Sequence, residues 1–177
     1  MRPGRILHPQ LAAALATLGH TDIILITDAG FPIPPQANRI DLGFWPGIPD
    51  VTDILRVIRH EVFVENIQFA REVRDCNPEL YRQLQEIYTG SGADFTEASH
   101  EKLCHDLAYK AKVIIRSGSF NPWANFALTA STDPFAWFAD NAGVQPLPAY
   151  VTRRQRIQDK VVPELNSRPS AESMIAG

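Results

Sequence analysis

Four side chains in this 177-residue chain are of types that could move protons on, or hold, a small polar ligand: His20, Asp28, His100 and Asn125. An imidazole titrates near neutral pH and can give or take a proton there. A carboxylate accepts hydrogen bonds, and an amide both donates and accepts them. His20 sits in the turn Gly19-His20-Thr21-Asp22, and Asp28 opens the turn Asp28-Ala29-Gly30-Phe31-Pro32-Ile33-Pro34. Between them runs the apolar stretch Ile23-Ile24-Leu25-Ile26, the pattern of a buried strand with polar groups at its ends.

Each residue also has a plainer reading. Asp28 either contacts a ligand or serves only its Asp-Ala-Gly turn. Asn125 either presents its amide to a ligand or ties down a loop, and Asp22 reads as a capping or orienting partner of His20. Trp123 offers a flat apolar face of the kind sugar rings stack on, a face that core packing uses equally often. His8 reads as a cap or a solvated residue, with His60 near a helix end and His105 inside a helix. His20, Asp22, Asp28 and His100 are metal-ligand types, but they lack the tight spacing of a metal motif, and no metal is expected. A glycine-rich phosphate loop and a nucleophile elbow are absent from the sequence.

The elements that must position these groups follow from local pattern. Pro9 at a first helical position, with Leu11, Leu15 and Leu18 on one face, predicts a helix that Gly19 caps. A strand over Ile23 to Thr27 comes next, then a loop from Phe31 to Pro49 holding five prolines and two glycines, interrupted by Asn38-Arg39-Ile40-Asp41. Asp50 caps a second helix with Ile54, Leu55 and Ile58 as its apolar stripe. Val62 to Phe69 reads as a strand running into a helix, and Asn77-Pro78-Glu79 starts another helix that ends near Gly90. A short strand at Phe95, a helix capped by Ser99, and strands at Val113-Ile114-Ile115 and Phe126-Ala127-Leu128 complete the series. Strands alternating with helices predict an α/β fold with a central sheet.

Residues 1–132 read as one compact domain. Residues 133–177 read as a C-terminal extension, an arm that could pack on a neighbouring subunit, with Arg153, Arg154 and Arg156 forming a solvated helix face.

Bulk composition narrows the function classes. Apolar residues make up 45% and charged residues 21%, as expected for a globular protein. A net charge of −3 provides no basic face for nucleic acid. No apolar stretch reaches membrane-spanning length, and Met1 to Ile6 lacks the apolar core of a signal peptide. Cys76 and Cys104 are the only cysteines, so a reducing, cytoplasmic setting is expected.

Several blocks in order resemble the ribose pyranase / fucose mutarotase family. They are Leu18-Gly19-His20-Thr21-Asp22, Asp28-Ala29-Gly30-Phe31-Pro32-Ile33-Pro34 with Arg39-Ile40-Asp41 after it, Ser99-His100-Glu101-Lys102-Leu103, Ile115-Arg116-Ser117-Gly118, and Pro122-Trp123-Ala124-Asn125. The resemblance covers roughly residues 1 to 130 and is nearer the ribose pyranase branch. It implies interconversion of sugar ring forms without a cofactor, β-pyranose to β-furanose in the case of ribose. His20 is then the proton donor, and Asp28, His100, Trp123, Ala124 and Asn125 are the monosaccharide-binding positions. It also implies a ring-shaped homo-oligomer, typically a decamer, with sites near subunit contacts. Two positions depart from the family pattern: Trp123 stands where tyrosine is usual, and Ser119 where glutamate is common. They motivate an alternative, a non-catalytic monosaccharide-binding or regulatory protein of the same family.

Spacing adds a geometric expectation. Eight residues at about 3.3 Å each put His20 and Asp28 as much as roughly 26 Å apart, too far for one monosaccharide to bridge. A site using both therefore needs either the Gly19–Asp22 turn to fold back or, the reading preferred here, His20 from one subunit and Asp28 from its neighbour.

Overall fold

The computed structural model describes residues 6–138 and 143–157. Helix α1 (Pro9–Ala16) starts where His8 Nδ1 accepts the Leu11 N–H at 3.2 Å, with Pro9 in the first turn. It ends two residues earlier than the sequence predicts. Thr17 is the cap, its hydroxyl donating to Ala14 O at 2.7 Å, and Gly19 instead donates its N–H to Asp22 Oδ2 at 2.7 Å, closing the His20 turn.

Strand β1 (Ile23–Thr27) is buried from Ile24 onward, which is why its apolar run is continuous rather than alternating. The Asn38–Asp41 interruption is an edge strand, β2 (Arg39–Asp41). Helix α2 (Val51–Glu61) carries a full capping box: Asp50 Oδ1 accepts the Thr52 N–H at 3.0 Å, and Asp53 Oδ2 accepts the Asp50 N–H at 3.0 Å. The ambiguous stretch after it resolves as β3 (Val64–Ala70) followed by α3 (Arg71–Cys76). Asn77 caps α4 (Pro78–Ile87), and β4 (Asp94–Ala98) follows. The helix that Ser99 caps is short and irregular. It comprises α5 (His100–Lys102), a π-helical turn (Leu103–Leu107) and α6 (Ala108–Lys110). Strands β5 (Val113–Arg116) and β6 (Phe126–Ala130) complete the sheet.

The sheet has six strands in the order β2-β5-β1-β6-β3-β4, with β6 antiparallel to both its neighbours and every other pairing parallel. The carboxyl ends of β1 to β5 and the amino end of β6 thus share one rim, here the carboxyl rim. The opposite edge is the amino rim. Helix α2 packs on β1 and α4, and the π-helical turn packs on β6. The predicted α/β fold with a central sheet flanked by helices is the one observed. No helix among the described residues is long and apolar enough to cross a membrane.

The described part of the C-terminal extension packs on its own chain. Asp133 Oδ1 caps α7 (Pro134–Trp137), accepting the Phe135 N–H at 2.8 Å, and α8 (Pro148–Arg156) leads into a β-bridge between Ile157 and Ser91. Of the three arginines expected on a solvated face, Arg156 is exposed, Arg154 is half-buried and Arg153 is not solvated. Arg153 is buried, Arg154 donates to Phe138 O at 3.0 Å, and Arg156 donates to Asp94 Oδ1 at 2.7 Å. Carboxylates and carbonyls distant in sequence provide their partners, which local pattern could not reveal.

Candidate functional site

The carboxyl rim gathers most of the predicted ligand positions. Asp28 and Asn125 face each other across the β1/β6 pair and hydrogen-bond twice: the Asp28 N–H donates to Asn125 Oδ1 at 3.1 Å, and Asn125 Nδ2 donates to Asp28 Oδ2 at 2.7 Å. The second carboxylate oxygen, Oδ1, accepts the Gly30 N–H at 2.9 Å. Asn125 is fully buried, so its amide holds the Asp28 loop rather than reaching open solvent. The Ser117–Ser119 loop supports it from β5. Ser117 Oγ donates to Thr27 O at 2.7 Å, and Ser119 O accepts the Ala29 N–H at 2.9 Å. Gly43 and Gly118 are required here, because a Cβ on either would lie 2.7 Å or less from backbone atoms of the loop facing it.

Ala124 is buried and Trp123 is half-buried against the core. Trp123 has φ of 60°, in the left-handed region that a bulky residue rarely enters. Holding it there costs on the order of 1–3 kcal/mol, a cost that clusters at ligand-binding loops.

His100 approaches from the end of β4. Its ring meets the Phe31 ring edge-on at 6.4 Å, and its Nε2 lies 3.5 Å from Cys104 Sγ. Its Nδ1 is buried and makes no hydrogen bond with the described residues, leaving a nitrogen for a ligand hydroxyl. The π-helical turn beginning at Leu103 follows directly, a distortion frequent at functional sites.

Burial pushes the Cys104 thiol up, and the Asp28 carboxylate adds to the shift. Cys76 is exposed. A disulfide reagent at pH 8 is therefore expected to titrate Cys76 alone in the folded protein and both thiols in urea. Prompt reaction of Cys104 without denaturant would contradict its burial beside Asp28.

His20 lies elsewhere, on the amino rim before β1. Its Nε2 is 3.1 Å from Glu65 Oε2, and a third of its side chain is exposed. The next residue, Thr21, has φ of 70°, which for a β-branched residue is strained backbone, held by its N–H to Ala130 O at 2.9 Å. Asp22 is not the partner of His20: its carboxylate accepts the Gly19 N–H and pairs with Lys112 Nζ at 3.2 Å. Both contacts pull its own pKa down, the Gly19 bond most strongly.

Within one chain the structure thus joins Asp28, His100, Trp123, Ala124 and Asn125, and sets His20 apart. The five residues of β1 alone span about 16 Å. Sequence reasoning missed Glu65, Tyr150 and Arg153, which surround His20; none carries a local motif. Of the two departures from the family pattern, Ser119 is fully buried, and its Oγ donates to Asp50 Oδ2 at 2.8 Å. A carboxylate therefore still stands against this position, supplied by the cap of α2. Among the described residues no three His, Cys, Asp or Glu side chains converge in a metal-like group.

A mostly parallel sheet whose strand ends collect an aspartate, an imidazole and a buried amide defines an α/β protein with polar groups gathered at its carboxyl rim, where such folds bind ligands. The chain belongs to the RbsD / FucU transport protein family, whose model matches residues 1–132. It is 42% identical over 146 residues to D-ribose pyranase 1 of Streptomyces griseus, covering 82% of this chain and 95% of that one. It is 38% identical to D-ribose pyranase 2 of Rubrobacter xylanophilus over 82% of this chain and 94% of the relative. Among solved structures it resembles Bacillus subtilis RbsD complexed with D-ribose, with a TM-score of 0.70 and 38% identity over 75% of this chain and 99% of that one. It also resembles the fucose mutarotase of Streptococcus pneumoniae in complex with L-fucose, with a TM-score of 0.61 and 25% identity over 72% and 94% of the two chains.

Proposed function

We propose that this protein is a cofactor-independent isomerase that interconverts the ring forms of a monosaccharide, ribose foremost, by general acid–base catalysis. The observation that carries the reading is the carboxyl-rim cluster. Asp28 is locked by Asn125 and Gly30 beside His100, whose Nδ1 has no protein partner among the described residues. The relatives named D-ribose pyranase and the structures holding ribose and fucose support it.

Changing ring form requires the hemiacetal to open and reclose through another hydroxyl. On opening, the bond between C1 and the ring oxygen breaks, the ring oxygen takes a proton from His20, and the anomeric hydroxyl gives its proton to His100. The open aldehyde results. On reclosure a different hydroxyl attacks C1, its proton returns to His20, and His100 returns a proton to the new anomeric oxygen. Asp28 accepts hydrogen bonds from sugar hydroxyls, Asn125 holds Asp28 in register, and Trp123 with Ala124 shapes the wall. Proton transfer of this kind contributes roughly 100- to 10,000-fold, enough for a reaction that already proceeds in water.

Because β1 separates His20 from Asp28, the working site draws His20 from a neighbouring subunit of a homo-oligomer, a ring-shaped decamer in the family pattern. Residues 1–132 form the sugar domain and residues 133–177 an extension of it. The two free cysteines suit a cytoplasmic setting. NMR saturation exchange on ribose, fucose and related sugars tests the function: the protein is expected to accelerate exchange between the pyranose and furanose signals of ribose. Binding without acceleration would replace the isomerase by a sugar-binding module.

A further inference from the structure

The described part of the C-terminal extension lies against His20. Tyr150 and Arg153 lie three positions apart on α8 and so project from one face of it. The Tyr150 ring lies 6.0 Å from the His20 ring, with the Phe138 ring 5.1 Å behind it. Arg153 has only 9% of its side chain exposed, yet it is extensively bonded. Its Nη1 donates to Glu65 Oε2 at 3.1 Å and to Ser131 Oγ, and its Nη2 donates to Thr132 O at 2.8 Å. The same Glu65 oxygen receives His20 Nε2 at 3.1 Å. A cavity of about 550 Å³ opens beside this chain of contacts, bordered by His20, Thr21, Asn66 and Arg156.

A buried guanidinium is costly unless its donors are met, and burial does pull the basicity of Arg153 down against the opposing pull of Glu65. The planar fork of arginine is suited to fixing one carboxylate oxygen while anchoring to a carbonyl and a hydroxyl. A carboxylate fixed in that way selects which imidazole nitrogen carries hydrogen.

We propose that helix α8 is a positioning element for the proton donor: Arg153 fixes Glu65, and Glu65 holds the hydrogen of His20 on Nε2. The other nitrogen, Nδ1, makes no hydrogen bond with the described residues and is the one that exchanges protons with the sugar. Glu65 and Arg153 act through His20, and Tyr150 packs over its ring. The extension is thereby part of the working site. This inference rests on His20 being the proton donor.

The test uses the full chain with ¹⁵N-labelled histidine and the variants Glu65→Gln, Arg153→Met and Arg153→Lys. In the unsubstituted protein the His20 signals are expected to report hydrogen on Nε2 in the neutral ring. In Glu65→Gln and Arg153→Met they are expected to report a mixture of the two tautomers. The ring-exchange kcat is expected to fall about 10- to 100-fold in these two variants, a portion of what general acid catalysis provides, with KM changed by less than about threefold. Arg153→Lys, which keeps the charge but not the fork, is expected to recover part of the loss. Unchanged His20 signals and unchanged kcat in folded Glu65→Gln would overturn the proposal, and that variant decides alone if Arg153→Met does not fold. Should the unsubstituted protein catalyse no ring exchange, the isomerase reading falls, while the tautomer signals still report whether Glu65 and Arg153 set the state of His20.

Discussion

Oligomers assembled from a one-to-one mixture of His20→Ala and Asp28→Ala subunits are expected to regain about one quarter of the ring-exchange activity of the unsubstituted protein, the share of heterologous contacts that pair an intact His20 with an intact Asp28. Each variant alone is expected to lose activity by roughly 100- to 10,000-fold, since on the proposed mechanism one lacks the proton donor and the other the hydroxyl anchor. The physical basis is the topology. His20 precedes β1 on the amino rim and Asp28 follows it on the carboxyl rim, so the strand holds them apart in every folded copy. A site drawing on both must combine two chains. Co-unfolding and co-refolding the two variants, followed by saturation exchange on ribose, reads the result. Activity in the mixture no greater than in the separate variants would mean that His20 and Asp28 do not share a pocket.

Replacing Asn125 by alanine is expected to cost about 2–4 kcal/mol in stability, because it breaks both bonds to Asp28 and leaves a buried N–H and a carboxylate oxygen short of a partner. The side chain is fully buried and its amide spans β1 and β6, so no solvent molecule replaces it without rearrangement. Urea unfolding is expected to show a lower midpoint with an unchanged slope. Affinity for ribose is expected to fall as well, since Asp28 loses the contact that orients it. The isosteric variant Asn125→Asp distinguishes packing from hydrogen bonding. An added carboxyl can supply the missing donor only while protonated, and once ionised it repels Asp28, so the stability of this variant is expected to decline as pH rises. Full stability of Asn125→Ala would show that the pairing contributes little.

Local pattern carried much of this. The apolar run of β1, the caps at Asp50, Asn77 and Ser99, and the turn residues around Asp28 are decided by neighbours within a few positions, and all appear as expected. The end of α1 did not follow the pattern, because Asp22 captured the Gly19 N–H that a helix cap would have used. The candidate residues were legible for a similar reason: histidine, aspartate and asparagine at element ends are local signals.

Their partners were not. Glu65 lies on β3, 45 positions from His20, and Arg153 reaches Glu65 from 88 positions away. By itself, the sequence determined which residues could do the chemistry and the alternating order of strands and helices that presents them. Only the tertiary structure decided that β6 runs antiparallel between β1 and β3, bringing Asn125 onto Asp28 while leaving His20 on the far rim. It also decided that Arg153 of α8 turns inward to Glu65 on β3, while Arg156 stays exposed and pairs with Asp94 on β4. The physical reason is that capping and periodicity act over a few residues, whereas strand pairing and the neutralisation of a buried charge are settled by groups that meet only once the chain has folded.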